Sequence, residues 1–526
     1  MDDRRKVAGA AGRISAATFI SRILGYARDV IFGSLFGTGL VMDAYLVAFR
    51  IPNLFREIFA EGSMSAAFVP VLTETQELQG KNEARLLVRT TFTFILTFVG
   101  GLCVAGMFFA PSIVSVIAPG FLDNPEKFRT TVLLTRIMFP FLLFVSLAAM
   151  SMGSLNTKGV FFLPALAPAV LNIVTITVVL TLVSRITPPI VAVAIGIASG
   201  GFAQFVIQLP SFFRRGYSLL PSFNFAHPGL KKMLLLILPV VLAMSTNQIN
   251  IFVTNILASY LPEGSITYLY YSMRLIHFPI GIFGVAMATA VLPTLSRQAL
   301  AGDTSKLRET FSFSLRLLFF ITIPAMTGLI ALRVPIVSTL FQHGKFGPDG
   351  TAGTASALLF YSAGIWSMVG MRVVASTFYS MQDTKTPVRM AMIGVGSNIA
   401  LSIILMRPMG HNGLALANAL ASGIQFVLLL YFLRKKIGSV DGGRILSSFV
   451  KTTVISALMG LAGWWITRSG PWLAKTGAGE GEKVLLLGAS VTLSVLFYLG
   501  ISHLMGSEEL NYLVQMRRSK NDGGQQ

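Results

Sequence analysis

The sequence predicts an all-α polytopic membrane protein of about fourteen transmembrane helices, arranged as two pseudo-symmetric six-helix lobes plus two C-terminal helices. Three observations carry this. The chain of 526 residues is 53% hydrophobic and only 12% charged, whereas soluble proteins carry about 25% charged residues. Apolar runs of roughly 18 residues or more, each long enough for a bilayer core, recur from one end to the other. The chain also repeats itself with a period near 225 residues.

The runs lie at 14–37, 42–72, 88–117, 131–154, 160–183, 187–212, 232–259, 266–295, 310–332, 353–380, 387–407, 412–433, 445–467 and 483–504. No soluble domain of ordinary size is left between them. Backbone groups in lipid must be satisfied within the structure, and runs this long suit helices rather than barrel strands. Bends or breaks are expected near Pro52, Pro164, Pro168, Pro279 and Pro293, because proline removes a helical donor. The N-terminal MDDRRKVAGAAGR lacks a short apolar core followed by a small-residue cleavage site, so no signal peptide is expected. The single cysteine, Cys103, falls within the third run and reads as a small buried apolar residue.

A net charge of +20 raises the question of nucleic acid. The distribution of the charge excludes it. With the N-terminus placed in the cytoplasm, the inner loops, tails and adjoining span ends hold 26 of the 42 lysines and arginines, and the outer loops and adjoining span ends hold 9. This asymmetry is the positive-inside pattern, and an even number of spans puts both termini in the cytoplasm. Most of the positive charge thus sets orientation and meets anionic headgroups of membrane lipids.

The duplication shows in three echoes. FRIPNLFREIFAEGSMSAAFVPVLTE (49–74) parallels MRLIHFPIGIFGVAMATAVLPTLSR (273–297), matching Arg50 with Arg274 and Pro70 with Pro293. APSIVSVIAPGF (110–121) parallels RVPIVSTLFQHGKF (333–346), and SLNTKGVFFLPALAPAVLN (154–172) parallels SMQDTKTPVRMAMIGVGSN (380–398). Three echoes in one order at nearly one offset indicate a true internal repeat. The organisation expected is an N-lobe at 1–212, a basic cytoplasmic linker at 213–232, a C-lobe at 233–436, and an appendage with a basic tail at 437–526. Each lobe holds an even number of spans, so the lobes should be related by a pseudo-twofold along the membrane normal, with a pathway at their interface.

The seven further arginines fall inside spans: Arg22, Arg28, Arg50, Arg56, Arg136, Arg274 and Arg372. Each costs about 2.5–3.5 kcal/mol at a helix centre; Arg50 and Arg136 lie near enough to span ends to snorkel. The acidic candidates are Asp29, Asp43, Glu57 and Glu61. Arg50, Asn53 and Glu57 share one helix stripe, and a brace such as Arg28–Asp29 is expected. The acids are too few to absorb every arginine. An excess of intramembrane guanidinium calls for a removable anion in a watery cavity, and its fork of donors suits carboxylate and especially phosphate. The equivalent span of the second half carries Asn247, Gln248, Asn250 and Asn255, so the anion site is concentrated in one lobe.

SRILGYARD, then MDAYLVAFRIPNLFREIFAEGSMSAAFVPVLTE, strongly resembles the N-terminal signature of the MurJ lipid II flippases, the mouse virulence factor-like branch of the MOP exporter superfamily. MRLIHFPIGIFGVAMATAVLPTLS and MQDTKTPV continue the resemblance along nearly the whole chain. It implies fourteen helices as six, six and two, a central cationic cavity, and a groove for a polyprenyl tail along the last two helices. The implied substrate is lipid II, undecaprenyl-diphosphate bearing a disaccharide-pentapeptide, moved from the inner to the outer leaflet of the bacterial cytoplasmic membrane for peptidoglycan synthesis. The cavity residues it implies are Arg22, Arg28, Asp43, Arg56 and Arg274; Asn53 and Glu57 join them from the stripe on the second span.

The sequence departs from the family at Met273 and His277, where many members carry acids around the arginine of span eight. The sodium-site positions of some members correspond to the neutral Asn247, Asn398, Ser402 and Asn418, so neither a metal nor another cofactor is expected. A monomer is expected, with cell-wall synthesis machinery a candidate partner. The alternatives are an exporter of other undecaprenyl-linked oligosaccharides or of cationic drugs, a polyprenyl-phosphate enzyme, and a division scaffold. A cationic cavity repels cationic drugs, and a scaffold needs no central arginines. An enzyme wants clustered acids or histidines, whereas His227, His277, His343, His411 and His503 are scattered, so no catalytic residue is expected.

Overall fold

The computed structural model describes residues 2–56, 63–468, 470, 472 and 479–522, and the described residues form helices and turns without a strand. By packing they divide into two compact units, Met1–Glu263 and Gly264–Gln526. Among the described residues, eleven helices are long and apolar enough to cross a membrane. Of the fourteen expected spans, the first contains Arg22, Arg28 and Asp29, residues 57–62 of the second lie outside the described residues, and the seventh has side chains outside the description.

The first unit opens with α1 (Asp2–Phe36), α2 (Leu40–Arg56) and α3 (Ser63–Leu78). α4 (Lys81–Phe108), α5 (Ala110–Ile117) and α6 (Pro125–Asn156) follow. α7 (Phe162–Leu182), α8 (Val191–Arg214) and α9 (Pro228–Ser259) complete it. Gly37, at φ 71°, ends α1 in the left-handed region that glycine enters without strain. Asn124 starts α6 by accepting from Lys127 N at 3.1 Å, with Pro125 in the first turn where its missing N–H costs nothing.

α6 is the axis of this unit. It packs on α2, α3, α4 and α8, and buries Met138, Phe139, Phe141, Leu142 and Met150. Cys103 is buried, as expected, and its thiol donates to Phe139 O. α1 lies along α7, and α9 lies on α3.

The stretch before α9 is tied to this unit by polar contacts. Arg89 Nε donates to Leu220 O at 3.0 Å, and Ser222 N donates to Thr93 Oγ1 at 2.8 Å. His227 Nδ1 accepts from Gly229 N at 3.0 Å, which leaves Nε2 to donate to Glu83 Oε1 at 3.0 Å.

The second unit contains α10 (Ser265–Leu300), α11 (Thr304–Ala331), α12 (Arg333–Phe341) and α13 (Pro348–Ser380). α14 (Lys385–Met409), α15 (His411–Ile437), α16 (Gly442–Thr467), α17 (Glu480–Leu504) and α18 (Glu508–Asp522) follow. Phe319, Trp366, Phe426 and Phe449 meet edge to face at its centre. α16 packs on α11, and α17 on α16. Leu458, Leu461, Trp464, Trp465, Leu485 and Leu496 remain exposed along that pair, an apolar outer surface that suits lipid contact.

The prolines behave in two ways. After Pro279 the helix loosens into a π-helical turn, Ile280–Val285, a common response to a disrupted hydrogen-bond ladder. Pro52, Pro168 and Pro293 lie inside helices that run on through them, so no break occurs there. Pro164 sits in the first turn of α7, where a backbone donor has no intrahelical partner to lose.

Candidate functional site

In the first unit α1 carries Arg28 and Asp29 at 8% and 2% exposure. Arg28 Nε and Nη2 donate to Asp29 Oδ1 at 3.2 and 2.8 Å, and Nη1 donates to Asn172 Oδ1 on α7 at 3.2 Å. The guanidinium also lies 5.8 Å from the Phe32 ring centroid. The expected Arg28–Asp29 brace is thus present, and Asn172 joins it. Arg22, six positions back on the same helix, is exposed.

Asp43, in the first turn of α2, is bound by a cation that the sequence reading left among the outer-loop charges. Lys127 Nζ donates to Asp43 Oδ2 at 2.9 Å, and the two side chains are 6% and 1% exposed. The same ammonium stands 4.2 Å from the Phe121 ring centroid. Asp43 therefore orients Lys127. The signal was the Asn124–Pro125 helix start, which puts Lys127 in the first turn of α6, the helix that α2 packs against.

Farther along α2, Arg56 Nε donates to Asn53 Oδ1 at 2.9 Å, so Asn53 serves Arg56 within its own stripe. Glu57 and Glu61, expected to complete the acidic side of this helix, lie outside the described residues. Arg50 is half-buried, and Arg136 donates to Met107 O at 3.1 Å, at the end of α4 as its nearness to a span end predicts.

In the second unit Arg274 and His277 are exposed on α10 at i, i+3. Arg372 on α13 crosses α10 at Gly284, where an added Cβ would stand 2.7 Å from Val369 Cγ1 and 3.3 Å from Arg372 Cδ; the helices approach closely because the residue is glycine. The charges of Arg274 and Arg372 both bear on His277. Of the neutral residues weighed as sodium ligands, Asn398 and Ser402 are 2% and 1% exposed. Asn418 is half-buried, and the side chain of Asn247 lies outside the description.

The MQDTKTPV stretch is a helix cap. Asp383 accepts from Thr386 N at 3.0 Å and Thr386 Oγ1 at 2.9 Å at the start of α14, and Lys436 donates to it at 2.7 Å. The Lys436 ammonium holds its carboxyl well below the ordinary 3.8, at about 2.

The described residues thus form a helical polytopic fold with eleven helices long and apolar enough to cross a membrane, and with arginines on α1, α2, α10 and α13. A multidrug resistance MATE family transporter of the MOP superfamily, in an inward-facing conformation, superposes with a TM-score of 0.67 at 14% identity, covering 82% of this chain and 99% of the other. A structure described as lipid II flippase MurJ, inward closed conformation, superposes with a TM-score of 0.75 at 28% identity, covering 94% and 99%.

The family model described as lipid II flippase MurJ matches residues 32–475. A probable lipid II flippase MurJ of Vibrio cholerae is 36% identical over 94% of this chain and 95% of its own. The lipid II flippase MurJ of Burkholderia cenocepacia is 33% identical over 96% and 98%. The chain belongs to the MurJ lipid II flippase family.

Proposed function

We propose that this protein moves lipid II across the bacterial cytoplasmic membrane, from the inner to the outer leaflet, for peptidoglycan synthesis. The observation that carries the proposal is the family match over residues 32–475. Arginines on α1, α2 and α10 give that match a chemistry: they suit a diphosphate, whose oxygens accept forked guanidinium donors.

Alternating access follows from the duplication. Residues 1–212 and 233–436 act as two lobes whose rocking alternates access to the two sides of the membrane, and residues 437–526 add the two helices along which the polyprenyl tail lies in lipid. Both termini are cytoplasmic, in keeping with the positive charge of the inner loops. Arg22, Arg28, Arg56 and Arg274 take the diphosphate. Asn53 orients Arg56, supported by their 2.9 Å hydrogen bond. Asp43, held by Lys127, fixes the first turn of α2 and so the depth of Arg50, Asn53 and Arg56 along that helix. Glu57 takes the acidic place beside them.

The chemistry is binding and release, with no bond made or broken. The protein acts as a monomer and meets the cell-wall synthesis machinery as the supplier of its precursor.

The testing experiment is translocation of fluorescent lipid II by the purified protein in proteoliposomes, beside other undecaprenyl-diphosphate sugars. Lipid II transport that Arg56→Ala removes supports the reading. Transport of the other sugars but not of lipid II overturns the substrate.

A further inference from the structure

Asn172 is 6% exposed on α7, and its amide touches two helices. Nδ2 donates to Ser21 O of α1 at 3.3 Å and to Pro168 O of its own helix at 3.1 Å, while Oδ1 accepts from Arg28 Nη1 at 3.2 Å. Carbonyl oxygens only accept and a guanidinium only donates, so the amide has one workable orientation. Reversed, it would set its NH2 against Arg28 and its oxygen against both carbonyls.

An amide held this way gives Arg28 an acceptor that carries no charge. The distinction matters because Asp29 already supplies one negative charge to the same guanidinium, at 2.8 Å. A second carboxylate at position 172 would turn the group net negative and repel an anion. A hydrocarbon there would remove one of the contacts that fix the guanidinium plane. Fork-like recognition of phosphate depends on that plane as well as on charge.

We infer that Asn172 is a positioning residue: it sets the plane of Arg28 for the diphosphate of the substrate without adding a second negative charge beside it. The inference rests on the function proposed above. It adds a residue from α7 to the arginines of α1 and α2.

The test uses the full-length protein. Lipid II translocation is measured against lipid II density in proteoliposomes, and binding of undecaprenyl diphosphate is measured on the same preparations. The variants are Asn172→Ala, Asn172→Leu and Asn172→Asp, each in the unaltered and the Arg28→Lys backgrounds, with thermal unfolding to select folded protein. Asn172→Leu keeps the bulk of the side chain should the alanine variant fail to fold.

In the unaltered background Asn172→Ala or Asn172→Leu should weaken binding about tenfold, or about 1.4 kcal/mol, and raise the half-saturating density more than it lowers the maximal rate. Asn172→Asp should bind more weakly still. With Arg28→Lys, which keeps the charge and loses the fork, the alanine or leucine change should add no more than about twofold, since little planar geometry remains to be set. The same factor in both backgrounds would overturn the inference and make Asn172 a brace between α1 and α7; binding by Asn172→Asp as tight as the unaltered protein would also overturn it. Should the unaltered protein bind undecaprenyl diphosphate without translocating lipid II, the proposed function fails and the binding comparison still decides the role of Asn172.

Discussion

Lys127 Nζ stands 2.9 Å from Asp43 Oδ2, and the pair joins the first turn of α6 to the first turn of α2 with both side chains almost wholly buried. Removing Asp43 takes the carboxylate from a buried ammonium, and removing Lys127 takes the ammonium from a buried carboxylate; losing one side of a buried pair typically costs about 3–5 kcal/mol. Asp43→Ala and Lys127→Ala should each lower thermal stability sharply. Asp43→Leu with Lys127→Met should recover it, since a packed apolar pair replaces a buried ion pair at little cost. If Asp43 serves the site by fixing α2, transport returns with the double variant. A stable double variant that transports nothing would place Asp43 in contact with the substrate.

Arg56→Ala should insert and fold like the unaltered protein, because Arg56 is half-buried and the hydrogen bond it gives Asn53 is local to α2. Lipid II translocation should fall at least about tenfold, the equivalent of one charge-assisted hydrogen bond of roughly 1.5–3 kcal/mol. Translocation at the unaltered rate would remove Arg56 from the site.

Asp383 gives a pH signature to the second unit. Lys436 holds its carboxyl at about 2, below the ordinary 3.8, so the ion pair stabilises the folded state above pH 3.8 and that contribution is lost as pH falls toward 2. After allowance for solvent screening it is worth about 1 kcal/mol. Asp383→Asn should lower the thermal midpoint at neutral pH, and the difference from the unaltered protein should shrink between about pH 4 and pH 2. A constant difference across that window would assign the loss to the helix cap alone.

Helices α16 and α17 are packed into the core of the second unit. Ile455, Met459 and Tyr498 are buried with Phe320 of α11, and Tyr498 Oη donates to Phe320 O at 2.8 Å. Deleting both helices should therefore unfold the second unit. Met459→Ala should cost about 2–5 kcal/mol and Tyr498→Phe about 1 kcal/mol, measured by thermal unfolding in detergent. Unchanged stability in both would detach these helices from the core.

Much of this was legible in sequence, because membrane helices declare themselves by apolar length and the arginines stand out against that background. The helical class and the Arg28–Asp29 contact follow from composition and spacing. The partner of Asp43 was hidden, because Lys127 is 84 positions away and reads as an ordinary outer-loop lysine until α6 brings it against α2. Asn172 was hidden for a similar reason. It appeared only as the last letter of a repeat, and its bond to Arg28 spans 144 positions. That the helices run on through Pro52, Pro168 and Pro293 was not legible, since the neighbours that support a helix missing one hydrogen bond are tertiary and leave no local trace.

The most direct measurement of the central claim is the rate at which lipid II reaches the outer leaflet of proteoliposomes, compared between the unaltered protein and Arg28→Gln with Arg56→Gln. The prediction is transport by the first that excess undecaprenyl diphosphate inhibits, and none by the second although it inserts and unfolds cooperatively. Equal transport by both, or no competition from the diphosphate, would contradict it.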